Sequence, residues 1–202
     1  MAYRYDVRIY ELLMLIYLDA NIVQYIADHE NFVFGEAIVP QTKSGLLYKE
    51  LEALRSLIEF ELEIEQLEDA NMWHVAASAH LMKELHAGKP TITQQQVYST
   101  LLRTWADSDW QEHIKSSEEQ VRIIDESLRV LNLKQDADRR HLAEAITLEA
   151  SWFLTNDKDI IKKTRLENNK VGVIQGVRVA RPSECLRIMI VNASLGWSEN
   201  NC

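Results

Sequence analysis

A chain of 202 residues, 47% hydrophobic and 26% charged, has enough apolar material for one domain or for one domain with an insertion. Six glycines and three prolines are too few for a disordered or low-complexity chain. The formal charge of −9 excludes nucleic-acid binding by bulk positive charge and leaves room for a local basic rim around an acidic pocket. Cys185 and Cys202 stand far apart with no CxxC or CxxH spacing, so neither a disulfide framework nor a zinc site is expected, and a reducing cytoplasm fits. No apolar run is long enough to span a membrane, and the N-terminus lacks the order of a signal peptide.

In chain order, residues 1–13 are an N-terminal extension, either an extra arm or the product of an upstream start. Leu15–Asn21, LIYLDAN, runs an apolar strand straight into Asp19 and Asn21, as a strand covered on both faces does when it ends in a site. Alone, Asp19 is equally well the N-cap of the helix predicted over Ile22–His29. Asn31–Ser44 is a predicted loop. From Leu46 to about Glu68, leucines and an isoleucine recur at three- and four-residue steps, which predicts a long amphipathic helix. Its glutamates, Glu50 and Glu52 among them, are expected on a solvated face. The apolar stripe must be buried somewhere, and a homodimer contact is the favoured expectation over packing on its own domain or against another protein.

Met72–Ala77 is a second predicted strand, followed by a Ser78 cap and a helix over Ala79–His86 that carries Glu84; Gly88 and Pro90 close it. Helices are predicted over Thr93–Ala106, Glu118–Leu131 and Asp136–Glu149, the last with a small-residue stripe of Ala143 and Ala145 that suits close packing on a sheet. Trp152–Asp159, WFLTNDKD, repeats the pattern of a short apolar strand ending in an acid, Asp157. A short helix, Ile160–Thr164, one strand, VRVA, within Val171–Ala180 and ending at Arg181-Pro182, and a helix over Ser183–Val191, capped by Ser183 with Glu184 behind it, complete the pattern; residues 192–202 are expected to be a loose tail. The alternation of strands and helices predicts an α/β fold with a mainly parallel sheet of four or five strands.

Parallel strands bring their carboxyl ends to one edge of the sheet, so Asp19 and Asp157 become neighbours, and Asp138, near a helix start, can face them. Several carboxylates in one pocket repel one another unless a divalent cation sits among them. Oxygen donors without sulfur favour Mg²⁺ or Mn²⁺, which activate water and stabilise the charge of phosphodiester cleavage.

LIYLDAN, DADRRHLAEA and FLTND together resemble the PIN-domain nucleases, a group that includes the VapC-type toxins of toxin–antitoxin pairs. The resemblance runs from Met14 to about Leu186 and rests mostly on the last two motifs and their spacing. It implies a three-layer α/β/α sandwich over 14–191, a metal-dependent ribonuclease acting on single-stranded RNA, and a protein antitoxin as partner. It carries the acid roles to Asp19, Asp138 and Asp157, each both catalytic and metal-binding. The family's second acid falls on Glu84, although about forty residues, 32–71, are inserted before it. Glu50 and Glu52 are the rivals; Glu84 is preferred because a strand-like segment precedes it.

Around these acids, Asn21 either contacts a metal water or phosphate or caps a helix, and Thr155 orients a carboxylate. Asp159 and Asp136 are spare acids, better explained as a cap or surface charges, with Asp159 kept as site support. His141 is a general acid or, more simply, a satisfied histidine. Arg139 and Arg140 touch phosphate or pair with nearby acids. Trp73, Trp105, Trp110 and Trp152 are expected in the core. Two other classes of function compete with the ribonuclease. One is a catalytically silent PIN-like scaffold that binds RNA or protein, against which the full set of acids argues. The other is a phosphotransferase of haloacid dehalogenase type, which needs an Asp where Asn21 stands.

Overall fold

The structure is a computed structural model and describes residues 14–35, 45–65, 73–76, 78–105, 113–165 and 171–199. The N-terminal extension, the segment 36–44 and the expected end of the long helix beyond Glu65 lie outside the described residues.

A five-stranded sheet in the order β2-β1-β3-β5-β4 forms the middle layer, with β1 over Met14–Leu18, β2 over Trp73–Ala76, β3 over Trp152–Leu154, β4 over Gly172–Ile174 and β5 over Val177–Ala180. β2, β1, β3 and β5 are parallel, and β4 pairs antiparallel with β5. In the register of β1 and β3, Ile16 faces Trp152 and Leu18 faces Leu154. The period of two sends alternate residues to opposite layers. Ile16, Leu18, Trp152 and Leu154 join the core on one side, while Leu15, Tyr17 and Phe153 join the core on the other. An uninterrupted apolar run is therefore what this central strand requires, because both of its faces are covered.

On the first side lie α1 (Ala20–Asp28), α2 (Glu30–Val33), α3 (Gly45–Glu65), α4 (Ala79–Ala87), α5 (Ile92–Trp105) and α9 (Pro182–Glu199). On the second lie α6 (Glu118–Ser127), which tightens into a 3₁₀ turn over Leu128–Leu131, α7 (Asp136–Thr147) and α8 (Lys158–Thr164). The result is an α/β/α sandwich. Ala143 and Ala145 are fully buried in α7, so the small-residue stripe lies in the core next to the sheet. Trp152 is fully buried, as expected, with the Arg178 guanidinium 5.2 Å over its ring. No helix among the described residues is long and apolar enough to cross a membrane.

Several expectations need correction. The stripe of α3 is not an exposed face: Leu51, Leu54, Leu57 and Ile58 are buried in the chain's own core, where α3 packs on α2 and α9. The homodimer expectation thus loses the surface on which it was built. Glu50 is not solvated but 3% exposed, accepting hydrogen bonds from Ser183 N–H at 2.9 Å and Ser183 Oγ at 2.8 Å. A carboxylate there satisfies one backbone donor of the first turn of α9 and suits the positive end of its dipole. Ser183 is accordingly not the cap. Pro182 takes the first helical position, where its missing N–H costs nothing, and Glu184 reaches back to Arg181 N–H at 3.1 Å. The helix then continues to Glu199 instead of giving way to a loose tail at 192. Gly196, the nearest candidate breaker, costs a helix only about 1 kcal/mol. β4 and the α2 turn fall where no regular element was predicted.

Candidate active site

Asp19 leaves the carboxyl end of β1 and caps α1, accepting from Ala20 N–H at 2.9 Å, while its own N–H donates to Leu154 O at 3.0 Å. The cap reading and the sheet-edge reading are thus both satisfied by one residue. The carboxylate is held from two further sides. Thr155 Oγ donates to Oδ2 at 2.6 Å, and Asn21 Nδ2 donates to the same oxygen. Asn21 also reaches Thr155 Oγ at 3.1 Å and accepts from Asn156 N–H at 3.0 Å. Thr155 is fully buried just past β3 and has the orienting role the sequence suggested. The outcome is a cross-tie between the ends of two adjacent parallel strands that leaves Asp19 a single orientation.

Asp157 caps α8 through Oδ1, which accepts from Asp159 N–H at 2.6 Å and Ile160 N–H at 3.1 Å. Asp138 sits in the first turn of α7 and Glu84 in the middle of α4. Asp19, Glu84, Asp138 and Asp157 all line one cavity of about 320 Å³, with Asn21, Gln24, Gln94, Tyr98 and Gln135 on its walls and no lysine or arginine among its described lining residues. Glu50 and Glu52 do not line it; Glu50 caps α9 and Glu52 is exposed on α3. Asp159 does not line it either: it forms an ion pair with Lys163 at 2.9 Å and supports the site only through the N–H it gives to Asp157.

The cavity is electrostatically unbalanced. Burial, then the charges of Asp19, Asp157 and Glu84, push the Asp138 carboxyl up to about 7. Burial also raises Asp19, against the opposing pull of His141 and its hydrogen-bond donors. Glu84 is held below the ordinary carboxylate range, chiefly by its hydrogen bond with His141.

Behind Glu84 lies a second, satisfied network. His141 Nε2 is 2.7 Å from Glu84 Oε2, and its Nδ1 is 3.4 Å from Tyr17 OH and 3.8 Å from Glu144 Oε2. Tyr17 OH donates to Glu144 at 2.7 Å and lies 3.0 Å from Ser78 Oγ. Burial opposes charge on both His141 and Glu144, and mutual hydrogen bonding overcomes it: His141 rises to about 9 and Glu144 falls to about 2. His141 is therefore a buried, partnered histidine, as the simpler sequence reading had it. Arg139 and Arg140 also take the simpler reading. Arg139 pairs with Asp125 and Asp136, and Arg140 pairs with Glu118 and Glu144.

No family model and no curated protein matches the sequence. Among solved structures the chain is similar to the crystal structure of VapBC2 from Rickettsia felis bound to a DNA fragment from their promoter, with a TM-score of 0.46, 14% sequence identity, and coverage of 83% of this chain and 98% of that one.

His80 escaped the sequence reading. It lies one turn before Glu84 on α4, and His80, Glu84 and His141 each offer a ligand atom within 4.8 Å of the others, so the three can hold a metal ion. The spacing of four between His80 and Glu84 was legible. The partner, His141, comes from a helix more than fifty residues away, and only the fold brings it near.

Proposed function

We propose that this chain is a divalent-metal-dependent endoribonuclease that hydrolyses phosphodiester bonds in single-stranded RNA, and that it is the toxin of a toxin–antitoxin pair with a protein antitoxin as partner. The observation that carries the reading is the convergence of Asp19, Glu84, Asp138 and Asp157 on one cavity whose described lining holds no lysine or arginine. The resemblance of the motifs around Asp19, Asp138 and Asp157 to PIN-domain nucleases supplies the substrate class and the partner.

The donor set fits Mg²⁺ or Mn²⁺. It is made of hard oxygens, and the Asp138 carboxyl is pushed up to about 7 by burial first and then by the charges of Asp19, Asp157 and Glu84, against the pull of His141. Asp19, Glu84, Asp138 and Asp157 would hold the ion. When bound, it supplies an activated water and offsets the charge of the phosphate. The chain's own contribution is placement. Thr155 and Asn21 fix the Asp19 carboxylate, the α8 turn fixes Asp157, and His141 fixes Glu84. Without the ion the Asp138 carboxyl is only partly ionised near neutrality, and a bound cation would favour its ionised form. Gln24 and Gln135 add neutral amides to the wall, suited to hydrogen-bonding phosphate oxygens or base edges without competing for the cation.

The test is cleavage of a mixed single-stranded RNA pool with Mg²⁺ or Mn²⁺. Wild type should cut, EDTA should stop it, and Asp138→Asn should slow it by about a thousandfold or more while remaining folded. A folded wild type that cuts no RNA with either ion, yet carries a bound protein or RNA partner, would hand the protein to the scaffold reading.

A further inference from the structure

We infer that His80, Glu84 and His141 form a second cation site, for a transition metal of the Zn²⁺ or Co²⁺ class, which shares Glu84 with the acid cavity. The donor chemistry separates the two sites. Four carboxylates select hard ions, whereas two imidazoles with one carboxylate suit zinc and its neighbours. The absence of CxxC and CxxH spacing in the sequence excluded cysteine-based zinc sites only.

Three observations support the site apart from the proximity of the donors. First, His80 Nε2 is a buried nitrogen with no hydrogen-bond partner among the described residues. Such an atom costs stability unless something meets it, and a metal does so. Second, His80 and Glu84 lie four apart on α4, so both project from one face of a single rigid helix. The ring of His141 comes to them from α7, with its centroid 5.2 Å from that of His80. Third, the outer shell of a histidine ligand is already in place. His141 presents Nε2 towards Glu84, while its Nδ1 faces Tyr17 OH and the Glu144 carboxylate. A carboxylate behind a histidine fixes the ring and its tautomer in metal sites. Glu84 opens on the cavity, which gives the ion a route in and leaves room for a solvent ligand.

Sharing Glu84 has a consequence. An ion on the histidine side draws that carboxylate from the acid set, so the two sites compete for it. This consequence rests on the nuclease reading; the site itself does not.

The experiment uses metal-stripped full-length protein, titrated with Zn²⁺ in a calorimeter and with Co²⁺ by visible absorption. One equivalent of Zn²⁺ should bind, and Co²⁺ should give the intense visible bands of a low-coordinate nitrogen-ligated ion. His80→Ala, at a partly exposed position that needs no repacking, should weaken Zn²⁺ at least about tenfold and abolish the Co²⁺ bands. Asp157→Asn, which can still cap α8, should leave both within about threefold. An absence of Zn²⁺ binding overturns the proposal, as does a response of His80→Ala no larger than that of Asp157→Asn, which would place the ion among the acids. Failure of Mg²⁺-dependent RNA cleavage would touch neither readout, so the two proposals fail separately.

Discussion

Asp138 and its neighbours Arg139 and Arg140 leave the same turn of α7 and enter two regions of opposite electrostatic character. Arg139 joins Asp125 and Asp136, and Arg140 bridges Glu118 and Glu144, so on that side acids meet guanidinium groups at 2.7 to 2.9 Å. Asp138 faces Asp19, Glu84 and Asp157 across a cavity whose described lining holds no lysine or arginine. The sequence of that turn supplies two cations immediately after the acid, and the helix turns both elsewhere. A chain of net charge −9 could have balanced its buried carboxylates everywhere, as it does for Glu144. In the cavity the described lining offers no lysine or arginine, and of its four acids His141 pairs with Glu84 alone, so that is where the proposed cation would sit.

The sharpest way to break this contrast is to neutralise one acid that lines the cavity and one buried acid that does not. Glu84→Gln should lower RNA cleavage by about a hundredfold or more, roughly 3 kcal/mol of transition-state stabilisation. Glu50→Gln should leave cleavage intact and reduce stability by about 1 kcal/mol, because an amide still accepts from Ser183 but loses the charge at the start of α9. Initial rates and urea denaturation measured on both variants separate the two effects. Equal activity losses would mean that the α9 cap belongs to the site after all.

On the balanced side, Arg140→Ala should destabilise by about 3 kcal/mol, because the Glu144 side chain, 1% exposed, would keep its charge without its guanidinium. A shift in the denaturation midpoint at constant slope is the expected signature. Destabilisation below about 1 kcal/mol would show that Tyr17 and His141 alone satisfy Glu144.

Asp138→Asn probes the unbalanced side through pH. A carboxyl whose folded value is raised to about 7 from an unfolded value of about 4 favours folding while protonated, and that advantage fades as pH rises between those values. The metal-free Asn variant should therefore melt above wild type at about pH 8, with the gap closing towards about pH 5. Thermal denaturation in EDTA at both values measures it, and a gap that grows on acidification would contradict the raised carboxyl. The smallest effect belongs to the solvent-exposed pair of Arg122 and Glu119, where Glu119→Gln should leave the melting temperature unchanged within error.

Much of the cavity was legible because its acids sit at chain positions that local patterns mark. Asp19 and Asp157 each end an apolar strand, Asp138 opens a helix, and Thr155 stands two residues before an acid. What escaped was set by contacts distant in sequence. Glu50 reads like its exposed neighbours on α3, and only the docking of α9 buries it against Ser183. β4 is three residues long and begins with glycine, too short for a period of two to show. Its hairpin turns on Gln175 and Gly176, with φ of 46° and 90°, the positive pair that a type I′ turn needs but without the usual Asn-Gly signature. The start of α5 carries a local signal: Thr91 Oγ accepts from Gln94 N–H at 3.2 Å while Gln94 Oε1 accepts from Thr91 N–H at 2.8 Å, a reciprocal cap with a spacing of three.

Calorimetric titration of Mn²⁺ into metal-stripped protein, at about pH 6 and about pH 8, asks directly whether the uncompensated acids hold a cation. Binding should be detectable at the higher pH, weaken at least about threefold at the lower as Asp138 takes up its proton, and be lost in Asp19→Asn. Absence of Mn²⁺ binding by the folded wild type at either pH, or binding that survives intact in Asp19→Asn, would contradict a metal site built from these four carboxylates.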